Sequence, residues 1–467
     1  MEPYRTLTRH LLAPAYDRVR GTETMRYVKE LEKSQWWPRD QLQEVQSRRL
    51  QRLIRHAYDH VPYYRRVMDE RGVRPIDVVG PSDLPRLPVL TKDDIRVHGI
   101  EMVPEGFPRA RLLEGRTGGS TGTPLRFYSS RDSRLSHGQA RSIRAMEWAG
   151  VHLGDRTVIV TKRGTRGAIA NNLVQAASRM VSREVFIDSS GFSDASLANV
   201  LQRIRRASPR ALRGYVSAVC IIAEYIEEAG ASAPEVGEVV VGGEQLFREQ
   251  RSLLHRVFGV QPFSRYSSFE NYDIAMECEA HNGMHIAAED LVVEIVDPLG
   301  RPVRPGEKGR LLVTNLHEYG MPLIRYDTDD ESALIDSACP CGRELPLIDG
   351  VVGKTGNVIY TPSGKRLSPL TLGASTLAPM GVRQFQFEQD ALAHVTVRLV
   401  PDQELDSDTV AALPPRVASH FGRVLGDDVR VDAIVVDHIE PTAAGKHLFL
   451  ISRVNGPTAM RQSAGAG

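Results

Sequence analysis

Cysteine is scarce in this chain, with four among 467 residues. That excludes a disulfide scaffold and fits a reducing cytoplasm, the location we expect. An excess of charge of either sign is also lacking. Lysine and arginine total 59 and aspartate and glutamate 58, so a net charge of +1 creates no field to gather nucleic acid or anionic lipid. No apolar run approaches the roughly 18 residues of a membrane-spanning helix. The opening residues, MEPYRTLTRH, lack the apolar core of a secretory signal. Neither nucleic-acid binding nor membrane insertion is therefore expected. Lysine is itself rare beside arginine, which makes each lysine conspicuous. What is present is an ordinary globular balance, 41% hydrophobic and 25% charged, at a length that suits two or three domains.

Hydrophobic periodicity organises the chain. Residues 1–40 show no clean period. Leu42, Val45, Leu50, Leu53, Ile54 and Ala57 fit one helix face. Short β-branched runs at 156–161 and 238–242 predict buried strands, with a helix over 217–229 between them. Strands alternating with helices predict an α/β fold with a mainly parallel sheet. Runs at 291–297 and 310–315, punctuated by Pro298-Leu299-Gly300 and Pro305-Gly306, predict an antiparallel subregion over about 290–335. A Gly- and Pro-rich joint after Val352 divides a large domain, 1–352, from a small α+β domain, 353–467. In the small domain, 394–400, 429–436 and 447–454 read as strands and 408–425 as a helix. The tail from about 455 reads as frayed.

The strongest local feature is Thr117-Gly118-Gly119-Ser120-Thr121-Gly122-Thr123. Glycines let backbone N–H groups turn toward a phosphate, and hydroxyls add donors. It matches neither the Walker A pattern nor the dinucleotide fingerprint. By composition alone it could equally be a flexible polar loop.

Further segments follow in a fixed order: Val241-Gly242-Gly243-Glu244, Tyr266-Ser267-Ser268-Phe269-Glu270, Pro322 through Asp330 (PLIRYDTDD), Gly353-Lys354 and Gly445-Lys446. Together with the loop they resemble the motifs of the adenylate-forming enzymes. Within these, the chain is most similar to the phenylacetate-CoA ligase family, in its CapK-like and coenzyme F390 synthetase-like branch. The resemblance runs from about Arg48 to Val454. It implies a large adenylation domain of mixed sheets with a small α+β lid, and an ATP-dependent ligase that makes an acyl-adenylate from a small-molecule carboxylic acid, aromatic acids included. The acyl group then passes to a nucleophile, in the first place coenzyme A. An amine, a hydroxyl or a carrier-protein arm is the alternative acceptor, and a non-catalytic nucleotide-binding homologue the alternative class. A monomer or a homodimer is expected.

The resemblance also implies roles. Residues 117–123 would hold the β- and γ-phosphates, Glu270 would carry Mg²⁺, and Tyr266 with Ser267 would face the adenine. Gly243 and Glu244 would approach the adenine or the acyl pocket, Asp330 the ribose hydroxyls, and Lys446 would be the catalytic cation. Tyr215 could line the acyl pocket or be core. The family hinge commonly carries an acidic residue, where this chain has Gly356-Asn357.

Three of the four cysteines fall into two clusters, Cys278-Glu279-Ala280-His281 and Cys339-Pro340-Cys341. Cys-x-x-His is metal-ligand spacing, and the two clusters together make a Cys₃His set suited to a structural Zn²⁺. His285 competes with His281 as the fourth ligand. Cys220, in an apolar run, reads as a small buried hydrophobe.

Overall fold

The computed structural model describes residues 3–116, 125–161, 182–189, 192, 194–351, 359–367, 377, 380–402, 405–439 and 450–454. Its centre is a nine-stranded sheet. Five strands run parallel, in the spatial order Glu184–Asp188, Thr157–Thr161, Ala211–Tyr215, Glu238–Gly242, Phe263–Ser268. An antiparallel wing follows: Tyr272–Glu277, Met284–Ile286, Leu347–Ile348 and Leu334–Ile335. The parallel strands carry β-branched residues because both faces of the sheet are covered. Val158, Val160, Leu212, Val239 and Val241 pack against Val219 and Ile222 of the helix Val216–Glu228 and Leu254 of the helix Arg248–Phe258. Cys220 is buried in this core, as its apolar context predicts.

A separate antiparallel sheet joins Leu291–Val296, Gly309–Asn315 and Tyr326–Ser332. A third sheet, of four strands, is built only from residues beyond 380: Val382–Ala391, His394–Pro401, Arg430–Val435 and Leu450–Ser452. The helix Ser407–Leu425 lays Leu413, Val417, Phe421 and Leu425 on it. This is the mixed α/β fold with a small C-terminal α+β unit that the sequence predicts. Of the expected joint, 353–369, residues 359–367 are described and form a short antiparallel hairpin, Ile359–Tyr360 with Arg366–Leu367; the rest lies outside the described residues.

Residues 1–40 depart from expectation. They contain the helices Pro3–Leu7, Ala13–Arg20 and Thr24–Ser34. Periodicity misses the first two because ion pairs attach this segment as much as an apolar stripe does. Arg5 pairs with Asp155, and Arg9 with Glu32 and, at 2.8 Å, with Glu147. Only the third helix buries an apolar row, Met25, Val28 and Leu31.

The segment leading into the strand Tyr326–Ser332 is fixed from below. Tyr64 donates its hydroxyl to the Pro322 carbonyl at 2.8 Å and accepts from the Ile324 amide. Buried Glu318 accepts from the amides of Ser130 and Gly320, both at 2.8 Å. Burial raises the Glu318 carboxyl to about 7, the amides pulling the other way. The folded protein then holds a proton that the unfolded chain releases near pH 4.5, so raising the pH between those values favours unfolding. Denaturant titrations should show stability falling by up to about 3 kcal/mol across that window, and Glu318→Gln should flatten the slope. An unchanged slope in Glu318→Gln would assign the dependence to other groups.

Candidate active site

The site grows from the ends of the sheet strands. At the end of Glu238–Gly242 the chain needs glycine twice. A Cβ on Gly242 would lie 2.4 Å from the Arg265 carbonyl oxygen, and Gly243 has φ +77°. The turn delivers Glu244 to the start of the helix Val216–Glu228. There its carboxylate accepts from the Ser217 amide at 2.6 Å and the Ser217 hydroxyl at 2.9 Å. Glu244 thus caps a helix N-terminus, where a carboxylate satisfies otherwise unpaired amides. Burial pushes its carboxyl above the usual range, with Ser217 opposing.

The next strand, Phe263–Ser268, has a register irregularity against its neighbour between Tyr266 and Ser267. A bulge re-aims side chains. The Tyr266 hydroxyl donates to Asp330 at 2.8 Å. Four residues on, the buried Glu270 accepts from the hydroxyl of Tyr326, also at 2.8 Å. Burial, together with Asp330 and Glu270 respectively, raises both phenols well above their ordinary value, so both remain donors. Two motifs some 60 residues apart in sequence are therefore joined by two phenol–carboxylate hydrogen bonds.

The acidic run Asp327–Glu331 is part of an ordered strand, Tyr326–Ser332, and successive acids take different partners. Asp327 pairs with Arg310 at 2.7 Å, Asp329 with Lys92 at 2.6 Å, and Asp330 accepts from Tyr266. Arg325 and Asp329 hold φ of +55° and +61°, an uncommon state for residues with side chains. Arg325 is buried and over-determined. It donates to Glu294 and to the carbonyls of Leu87 and Gly300, the latter two at 2.7 Å. The Ile-Arg-Tyr part of the motif is thus a fastening that presents Tyr326 and Asp330. Sequence reasoning assigned no role to Tyr326, Lys92 or Arg310. Only Tyr326 carried a signal, its place in the motif.

The strands Leu112–Arg116 and Arg126–Ser130 pair antiparallel, with Arg116 opposite Arg126. The Thr117–Thr123 residues expected to bind phosphate fall between them, outside the described residues, as do Gly353, Lys354 and Lys446.

The expected zinc ligands divide. Cys278, Cys339 and Cys341 converge, but the histidine that joins them is His285. His281 turns away: its Nδ1 lies 3.0 Å from Glu277, and its ring packs on Phe263. Glu277 accepts from Arg251 and the Ser264 amide as well, which anchors His281 outside the cluster.

Comparison with known proteins places this geometry. Residues 359–453 match the family model of the CapK C-terminal domain. A phenylacetate-coenzyme A ligase of Thermus thermophilus is 28% identical over 430 residues, covering 89% of each protein. That of Escherichia coli is 30% identical over 325 residues, 67% of this chain and 71% of that enzyme. Among solved structures, a 2-hydroxyisobutyryl-CoA ligase with its adenylate and coenzyme A superposes with a TM-score of 0.64 at 20% identity, over 92% of this chain and 94% of that one. Among the described residues no helix is long and apolar enough to cross a membrane. With a relative 30% identical over two thirds of this chain and another covering 89% of it, the chain belongs to the phenylacetate-coenzyme A ligase family.

Proposed function

We propose that the protein is an ATP-dependent acid–thiol ligase acting on a small carboxylic acid. A carboxylate oxygen attacks the α-phosphorus of ATP and expels pyrophosphate. The thiolate of coenzyme A then attacks the acyl carbon and releases AMP. Both partners of the first step are anions, so the site must supply positive charge and alignment. The observation that carries this reading is the joining of Tyr266 to Asp330 and of Tyr326 to Glu270. A nucleotide site of this kind needs a fixed carboxylate for ribose hydroxyls and another for a metal, each held by a donor that leaves acceptor capacity on the carboxylate.

Asp330 is the ribose acceptor in this reading, and Tyr266 orients it. Glu270 offers a hard oxygen from a buried position, which suits Mg²⁺. When bound with ATP, Mg²⁺ neutralises phosphate charge. The loop 117–123 is proposed to hold the phosphates and Lys446 to bridge the reacting groups. Zn²⁺ has no part in this chemistry; as a cofactor of the chain it is proposed as structural. The reaction is proposed for a cytoplasmic enzyme with 353–467 as its lid.

Carboxylate-dependent exchange of labelled pyrophosphate into ATP tests the first step across a panel of aliphatic and aromatic acids. Repeating it with coenzyme A and detecting the thioester tests the second. Exchange without thioester formation would reassign the acceptor to an amine, hydroxyl or carrier arm. Absence of exchange with every acid would overturn the ligase reading. Asp330→Ala should raise the KM for ATP about 10- to 100-fold, the scale of one lost hydrogen bond to a charged group. A smaller change in KM than in kcat would remove Asp330 from ribose binding.

A further inference from the structure

The four groups that converge beside the central sheet come from three separate chain segments. Cys278 directly follows the strand Tyr272–Glu277, His285 lies within Met284–Ile286, and Cys339 and Cys341 occupy the turn between Leu334–Ile335 and Leu347–Ile348. Cys278, His285 and Cys339 are buried and Cys341 is half-buried. The three sulfurs and the imidazole nitrogen all lie within 4.8 Å of one another. Cys278 Sγ is 3.5 Å from Cys339 Sγ, and His285 Nε2 is 3.2 Å from Cys341 Sγ.

These separations can be compared with a metal's requirement. Bond lengths of about 2.3 Å to sulfur and 2.0 Å to nitrogen in a tetrahedron put sulfurs about 3.8 Å apart and sulfur about 3.5 Å from nitrogen. These two contacts need only a few tenths of an ångström to reach those values, and the remaining pairs lie within 4.8 Å. A disulfide would leave the imidazole and one thiol without purpose, and the cysteines are free.

The surroundings are those of a ligand shell. His285 Nδ1 faces the Leu345 carbonyl at 3.2 Å, which fixes the ring with Nε2 toward the thiols. The Arg343 amide points at Cys341 Sγ from 3.5 Å, and the Gly342 amide donates to the Cys339 carbonyl. Gly342, at φ +82°, lets the Cys-Pro-Cys-Gly turn fold both sulfurs inward. A closed set of three thiols and one imidazole leaves no position for substrate and selects Zn²⁺ over Mg²⁺ or Ca²⁺, which prefer oxygen.

We infer that Cys278, His285, Cys339 and Cys341 hold one structural Zn²⁺ that clasps the antiparallel wing of the central sheet and docks the N-terminal helices on it. The clasp reaches those helices through Arg343. Its guanidinium lies over Trp36 at 4.9 Å and Trp148 at 5.5 Å, and it donates to Gln35 at 3.2 Å. Gln35 in turn accepts from the Trp148 indole at 2.7 Å. The metal thereby orders the turn from which residues 35–36, just beyond the helix Thr24–Ser34, are held.

The test uses the full-length protein. Elemental analysis should find about one zinc per chain, released on titrating three thiols with an organomercurial. Cobalt taken up by metal-free protein should give the intense visible bands of tetrahedral thiolate coordination. His285→Ala should lose the metal, whereas His281→Ala should keep it, which separates this ligand set from the Cys-x-x-His pair. If Cys339→Ser or His285→Ala fails to fold, zinc content and cobalt spectra of the unmutated protein still decide. Chelation should speed amide exchange in residues 24–37 and 278–286 and leave the strands beyond 380 unchanged. Protein that holds no zinc as purified, and takes up neither zinc nor cobalt after reduction, would overturn the assignment. Zinc retained in His285→Ala but lost in His281→Ala would overturn the ligand set.

Discussion

Lys446→Ala should reduce adenylate formation by roughly 10²–10³-fold while leaving the fold intact. The reacting pair is a carboxylate and a phosphate, so the transition state carries more concentrated negative charge between them than either reactant does alone. One preorganised cation in a site closed to water is worth about 2.7–4 kcal/mol there, which is the stated loss in rate. Lysine suits the position because its ammonium is a compact charge on a flexible stem. Lys446 is among few lysines in an arginine-rich chain and stands four residues before the strand Leu450–Ser452 of the small unit. The acyl-adenylate already holds the bond this cation helps to form, so thioester formation from supplied adenylate should fall much less. Single-turnover assays of the two half-reactions separate the outcomes. An equal fall in both, or in neither, removes Lys446 from the adenylation step.

Much of the architecture was legible because it rests on local pattern. The strand expected at 238–242 is observed with the same bounds, and that expected at 156–161 begins one residue later. Their β-branched runs need no distant partner to declare themselves. The strand Val382–Ala391 went unread although Phe385 and Phe387 alternate with glutamines. Its apolar residues are few, and Gln386 and Gln389 are buried beside them, so polarity does not mark the strand's outer face.

The site shows the same division more sharply. Spacing favoured His281, three residues from Cys278. Strand pairing favours His285 instead: Met276 lies opposite His285 and Glu277 opposite Met284, so the returning strand carries His285 back beside the thiols. His281 sits in the turn, at φ +48°, within reach of Glu277. Hairpin register is a long-range quantity that a ligand-spacing rule does not contain. Tyr326 is a similar case, since its partner Glu270 lies 56 residues away.

Arg144→Leu should destabilise the protein by about 3–5 kcal/mol, the scale of breaking a buried ion pair from one side. Arg144 and Glu289 each have about 1% of their surface exposed. The guanidinium donates to both carboxylate oxygens, at 2.9 and 3.4 Å, and lies 4.4 Å over the Trp148 ring. The Ser34 hydroxyl adds a third hydrogen bond to Glu289 at 2.8 Å, which ties the end of the helix Thr24–Ser34 to this pair. Leucine fills much of the arginine stem's volume but leaves Glu289 charged, buried and held by one hydroxyl. Neighbouring cations are already committed, because Asp290 takes Arg49 at 2.9 Å and Arg141 at 3.3 Å. The loss is therefore mainly the cost of the abandoned carboxylate, not the net worth of the pair. Arg144→Leu combined with Glu289→Met should recover most of the stability, because apolar groups of similar volume need no partner. Denaturant midpoints of the single and double variants decide. A single variant within 1 kcal/mol of the parent, or a double variant no better than the single, would mean that water reaches Glu289 and that the pair is not sealed.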